Sequence, residues 1–296
     1  MIYKYQTIDQ YGHYCWAIKS FKTQKDLFRY LVEEKEEVLA QKKSIVKHAE
    51  GSLSMTMSAM DSTPEFATKG VKPVYENDKE AGILKRTLVA NTYWWMDSHS
   101  DVHLGRGDDP EGKAVFTNTI KNRANRIFPR NQHDQSLDGK IGKSINLYEG
   151  EISWRALGVG KTGMTEALFA DAQIEKDRNE RRFKDYLNNE IDQHSVGMRY
   201  IDIQTAVNDE EFPKEHALFQ QYIGKLGNRQ AAEQQGFFFP VAEAALIEYS
   251  AVSEGSNPLT PTLGQPSGDT GKEDVSGDTR KELLERINKL STLIKN

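Results

Sequence analysis

A single cysteine, Cys15, stands in a chain of 296 residues. One thiol excludes an intramolecular disulfide and any cysteine-rich zinc module, and it fits a reducing compartment in which Cys15 serves as a small apolar filler. Charge of one sign is lacking too, with 39 Lys and Arg against 44 Asp and Glu and a net charge of -5. That balance offers no global attraction for nucleic-acid phosphates or anionic lipid, and it disfavours both as partners. No run approaches the ~18 apolar residues of a membrane span, and the first residues, Met1 to Gln6, lack the basic-then-apolar layout of a signal peptide. A soluble intracellular protein is expected. Hydrophobic residues are scarce, 37% of the chain, so a folded core must share it with solvated stretches.

What is there falls into segments. Residues 1–82 read as an N-terminal extension and linker. Alternating aromatics (Tyr3, Tyr5, then Tyr14, Trp16) suggest a hairpin. Thr23 then caps a helix over about 24–43, with Leu27, Leu31 and Val38 on one stripe. Residues 50–82 show no sustained period and read as a loop. The core spans 83–262 and mixes strand and helix signals without a βαβ rhythm, which argues against a doubly wound sheet. Within it Phe116, Ile120, Ala124 and Ile127 recur at helical spacing, as do Phe212, His216, Phe219 and Ile223. Val196, Met198 and Tyr200 alternate as in a half-buried strand, and Phe237 to Val252 reads as one or two buried strands broken by Pro240. A Gly-, Pro- and Ser-rich linker over 263–278 leads to Thr279-Arg-Lys-Glu282, a capping box. The apolar stripe Leu283, Ile287, Leu290 and Ile294 then makes residues 279–296 read as an amphipathic helix, either docked on a partner or a partly frayed tail.

Two motifs suggest chemistry and carry little of it. Gly158-Val-Gly-Lys-Thr162 has the end of a phosphate-binding loop, but Arg155 stands where the first glycine belongs, so a turn is expected. His99 and His103, with Asp97 and Asp101 nearby, offer zinc-ligand chemistry. Two histidines at that spacing converge on a helix, whereas the residues before them read as a strand, and no third ligand follows locally. A polar strand end is the plainer reading.

Nucleophilic catalysis by serine needs a hydroxyl, an imidazole and a group that orients the imidazole. The chain has seven histidines. His13, His48 and His216 are explained by turns and helix faces. His133 lies in Phe128-Pro-Arg-Asn-Gln-His-Asp134, just past an amphipathic helix and ahead of Gly139-Lys-Ile-Gly-Lys143. Ser195 opens the strand Val196-Gly-Met-Arg-Tyr200, in which Gly197 permits close approach of backbone or ligand.

The order of these segments, with Ile247-Glu-Tyr-Ser-Ala-Val252 and Asn257-Pro258 after them, resembles the prohead serine proteases of tailed phages. These capsid maturation enzymes are related in fold to the herpesvirus assemblins. The family pattern is a helix leading to Asn- or Gln-His-Asp, then Ile-Gly-Arg or Lys, a Ser-Ile/Val-Gly-Phe/Met strand, and Glu-x-Ser-x-Val before Asn-Pro. The resemblance covers roughly residues 84–262. It implies an α+β fold built on a small, closed, mainly antiparallel β-barrel surrounded by helices, with an N-terminal extension and a flexible C-terminal tail.

It further implies Ser195 as nucleophile, His133 as general base and Glu248 as the third group, where assemblins use a second histidine. Arg199 and the backbone at Gly197 are oxyanion candidates. No metal or organic cofactor is implied. The expected partners are the major capsid protein and the scaffolding protein of a procapsid, and the chain itself through autocleavage, within a procapsid assembling in the host cytoplasm; a homo-oligomer is compatible with this. The gap from His133 to Gly142 is longer than the family's, residues 207–236 lengthen the stretch before Glu248, and residues 1–80 have no counterpart. Two rivals remain: a non-catalytic assembly or scaffolding protein on the same fold, and a zinc hydrolase built on His99 and His103.

Overall fold

The computed structural model describes residues 2–8, 14–46 and 68–264. The expected C-terminal linker and helix, with His13, His48 and residues 50–67, lie outside the described residues, as does the side chain of Cys15. The N-terminal aromatics do form an antiparallel hairpin, β1 (Ile2–Ile8) with β2 (Tyr14–Ser20). Thr23 caps α1 (Gln24–Glu33): its hydroxyl accepts from the Asp26 amide and its own amide donates to the Asp26 carboxylate, both at 3.1 Å. The single helix expected over 24–43 is two. The backbone leaves helical geometry at Glu34, and α2 (Lys35–Ser44) follows. Glu33 and Glu37 are like charges four apart and give a continuous turn no support.

Residues 68–82 are not the loop that their composition suggests. They contain β3 (Thr68–Lys69) and β4 (Tyr75–Asp78), which pair with strands of the central sheet. That sheet is antiparallel and runs β13-β5-β9-β8-β3, with β4 on β5, from β5 (Ile83–Thr92), β8 (Gly142–Ser153), β9 (Met164–Glu175) and β13 (Thr262–Leu263). A second sheet gathers around β12 (Phe237–Ala251). On it pair β10 (His194–Ile203) and β11 (Ala206–Val207), antiparallel, and β6 (Asp101–His103) and β7 (Pro129–Asn131), parallel. The result is a mixed α+β fold in which the antiparallel sheet curls into a half-barrel. Among the described residues the ladders do not close it into the full barrel that the resemblance implies.

Pro240 does not break β12. Phe239 N donates to Ser100 O and Leu104 N to Val241 O on the β6 edge, so residue 240 faces the other edge. There its carbonyl accepts from Gln204 N, in the gap between the β10 and β11 pairings, where an absent amide leaves no ladder partner unsatisfied. Four further helices complete the described residues: α3 (Thr117–Arg123), α4 (Glu180–Leu187), α5 (Pro213–Ile223) and α6 (Arg229–Gln235). None of the described helices is long and apolar enough to cross a membrane.

One hydrophobic cluster joins the N-terminal helices to the central strands. Leu27, Phe28, Leu31 and Val38 of the N-terminal helices join Phe116, Phe169, Phe219, Phe238 and Tyr249 in it. The N-terminal segment therefore shares the core rather than standing apart from it. Among the described residues of this segment Lys42 is a buried ionic group, 5% exposed, which bonds Asp101 and donates at 3.2 Å to His99 O.

Candidate active site

Register on β12 assembles the site. Ser195 faces Ser250 and Gly197 faces Glu248 across the β10–β12 ladder, while Ser250 pairs with Arg130 of β7 on the other edge. Side chains alternate along a strand, so Glu248 and Ser250 share one face and their partners Ser195 and Gly197 lie on that face of β10. Directly opposed Cβ atoms in such a ladder stand about 5 Å apart.

His133 arrives from β7 through a tight turn. Gln132 and His133 both have left-handed backbone, φ 48° and 60°, a conformation that costs non-glycine residues ~1–3 kcal/mol each. Three consecutive amides are pinned to offset it: Gln132 N to Ala251 O at 3.0 Å, His133 N to Ser250 Oγ at 3.1 Å, and Asp134 N to Asn131 O at 2.9 Å. Gly139 closes the loop where a Cβ would lie 2.2 Å from Asp134 O, which accounts for the first glycine of the Gly-Lys-Ile-Gly-Lys run.

The turn aims the imidazole at Glu248. His133 Nδ1 lies 2.6 Å from Glu248 Oε1, and Ser250 Oγ donates to Glu248 Oε2 at 2.6 Å. Glu248 is fully buried, and the His133 side chain is 10% exposed. A carboxylate at Nδ1 fixes the hydrogen on that nitrogen, leaving Nε2 as the basic one. Gly197 makes the arrangement possible, because a Cβ there would fall 2.2 Å from Glu248 Oε1. Its place in the strand is thus set by the carboxylate it accommodates.

Ser195 is 5% exposed, and its hydroxyl has no hydrogen-bond partner among the described residues. It is not bonded to His133 in this unliganded structure; contacts of this kind tighten in a substrate complex. Arg199 is exposed on β10, four residues or about 13 Å along the strand from Ser195, beyond a bulge at Gly197/Met198. It makes no hydrogen bond or ion pair among the described residues, so the structure does not draw it to the His133–Glu248 pair.

Three other histidines, His194, His103 and His99, lie elsewhere in the described fold. His194 is buried, with Nδ1 2.7 Å from Thr260 O and Nε2 3.0 Å from Tyr186 OH. His103 pairs with the Asn91 amide at 2.9 Å. His99 and His103 do line one small cavity, of about 10 Å³, together with Ser195, although neither is on a helix. The cluster with metal-ligand geometry is instead Asp97, His99 and Asp101, without His103. There the Lys42 ammonium bonds Asp101, whose other oxygen accepts from Tyr200 OH at 2.6 Å, and Asp97 accepts the His99 and Asp101 amides at 2.8 and 2.9 Å. Gly158 to Thr162 is the expected turn, closed by Trp154 N to Gly163 O at 3.1 Å, with Lys161 donating to the carbonyls of Lys225 and Leu226.

Burial pushes both His103 and His194 down to about 4. Both are charged in the unfolded chain below its ordinary value and neutral in the fold, so stability is lost as pH falls from about 6.5 toward 4. Asp97 acts oppositely: burial first, then the Asp101 charge, raise it to about 7, so its contribution declines as pH rises over the same window. Two histidines against one carboxyl set the sign. The urea midpoint is expected to be lower at pH 5 than at pH 7, and an unchanged or higher midpoint would contradict it.

Ser250, Asn257 and Lys42 had no assigned role in the sequence reading. Asn257 ties the loop after β12 to the end of β5, donating to Thr92 O at 2.8 Å and to Asn91 Oδ1 at 3.3 Å and accepting from Leu259 N. The Asn-Pro motif was legible as a motif, but its partners lie some 165 residues away in sequence. Comparison of the chain with protein-family models, with curated proteins and with solved structures finds no match in any of the three.

Proposed function

We propose that this chain is a serine endopeptidase that matures a phage procapsid, cleaving scaffold and capsid-protein segments and itself. The observation that carries the reading is the bonded set His133–Glu248–Ser250, with Ser195 directly across the ladder from Ser250. His133 is a histidine whose Nδ1 meets a fully buried carboxylate, and its backbone amide is bonded to Ser250, the residue that Ser195 faces across the ladder. Its fold would be the assemblin-like barrel, of which the half-barrel is the described part. No cofactor enters the reaction.

In this mechanism Ser195 Oγ attacks the peptide carbonyl as His133 Nε2 takes its proton. Glu248 holds the imidazole in the required tautomer and stabilises the imidazolium. The proton passes to the leaving amine, and water then cleaves the acyl-enzyme by the same base. Backbone amides around Gly197 would stabilise the oxyanion. The targets are proteins of the assembling shell in the host cytoplasm.

Two measurements test this. The purified chain should take up one fluorophosphonate group at Ser195, seen by intact mass, and Ser195→Ala should take up none. Co-expressed with its capsid protein, the wild type should yield shortened products that Ser195→Ala lacks. Identical uncleaved masses from both, with no labelling, would instead favour a non-catalytic assembly protein.

A further inference from the structure

The carboxylate at the centre of the site has a second bonded neighbour to which the triad assigns no task. Ser250 is fully buried and uses its one hydroxyl twice. As donor it meets Glu248 Oε2 at 2.6 Å; as acceptor it takes the His133 amide at 3.1 Å. Its partners are therefore the orienting carboxylate and the backbone of the base itself. A hydroxyl that donates and accepts at once has its hydrogen direction fixed, so the two contacts are mutually dependent.

We infer that Ser250 is a positioning residue that locks Glu248 and His133 to each other, resting on the protease reading above. The Oε2 bond stops the carboxylate rotating about its last torsion, a broad, roughly two-fold one, and so keeps Oε1 on Nδ1. The amide bond holds His133 in a left-handed conformation that the residue would otherwise leave. Without the hydroxyl, Glu248 Oε2 loses its hydroxyl donor, and the amide loses its acceptor in the same step. Both losses turn the imidazole away from Ser195, which lies opposite Ser250 on the next strand. Ser250 would not touch substrate.

Two readouts test the role. The first is the rate at which a fluorophosphonate labels Ser195, measured across pH, which needs no knowledge of the natural cleavage site. Misplacing the base by about 1 Å costs roughly 100-fold, so Ser250→Ala is expected to label about that much more slowly at every pH, and Ser250→Thr, which keeps the hydroxyl, near the wild-type rate. The second is the far-downfield proton resonance of the His133 Nδ1–H···Oε1 bond, identified by its loss in His133→Ala. It should persist in Ser195→Ala and Ser250→Thr and move strongly upfield or vanish in Ser250→Ala. Thermal midpoints establish that each variant is folded; should Ser250→Ala not fold, Ser250→Cys, whose thiol is a weak donor, takes its place with the same expectation. Wild-type labelling with Ser250→Ala unchanged in rate and resonance overturns this inference and leaves the protease reading standing. Absence of Ser195 labelling in the wild type overturns both.

Discussion

On the proposed endopeptidase reading, replacing His133 with alanine is expected to lower the rate of peptide cleavage about a millionfold, some 8 kcal/mol of barrier. The magnitude follows from the arrangement of groups. Ser195 has no hydrogen-bond partner among the described residues, and in the proposed mechanism His133, its Nδ1 held by Glu248, is the group that takes its proton. His103 and His194 cannot substitute: each has a ring nitrogen bonded to a structural partner and is held neutral by burial. Glu248→Gln should cost less, about ten-thousandfold, because the amide keeps the packing and the Ser250 contact while presenting the wrong partner to Nδ1. The order of the two losses is itself a test. Should Glu248→Gln match wild type in cleavage of the capsid protein while His133→Ala is inactive, the carboxylate would be a packing group and the triad would need another third member.

The second large effect lies in the N-terminal segment, far in sequence from the site. Lys42→Met is expected to destabilise the protein by about 3–5 kcal/mol, since it leaves Asp101 buried without its cation. Asp101 is fully buried, and Lys42 reaches it across the Phe239 ring, 4.1 Å from the ring centroid. For a protein of this size each kcal/mol shifts the thermal midpoint by roughly 2–4 °C, so a drop on the order of 10 °C is expected in calorimetry. Removing both charges together, Lys42→Met with Asp101→Asn, should recover most of the loss, because the penalty comes from the stranded carboxylate. The exposed pair Lys25–Glu211, with side chains 51% and 54% accessible, provides the contrast. Lys25→Ala should change stability by no more than ~0.5 kcal/mol. Equal effects at Lys42 and Lys25 would show that the buried pair is not what anchors α2 to β6 and β10.

Local pattern carried the reading of the chain in some places and misled it in others. Alternation placed Val196, Met198 and Tyr200 on one buried face, and the structure leaves them 5%, 4% and 3% exposed. Thr23 was legible as a cap because a cap acts on amides three residues away. The same local logic read residues 68–82 as a loop, since β4 has a single half-buried residue and is a strand through its pairing to β5. It also placed a break at Pro240, because whether a missing amide matters depends on which edge of the strand it faces and what lies there.

For the site, the amino-acid order alone set which residues could act together on one strand. Glu248 and Ser250 share a face because strands have a period of two, and Ser195 and Gly197 do so for the same reason. That His133 meets this carboxylate is what the resemblance implies, but the physical cause of the meeting lies only in the tertiary structure. His133 reaches Glu248 because β7 runs parallel to β12 and the chain then turns through two left-handed residues, a contact spanning 115 positions. Lys42 meets Asp101 across 59 positions for a comparable reason. Side-chain direction is a local property of the backbone, whereas register between strands and the docking of a helix are set by burial of the whole core, and no stretch of sequence contains that by itself.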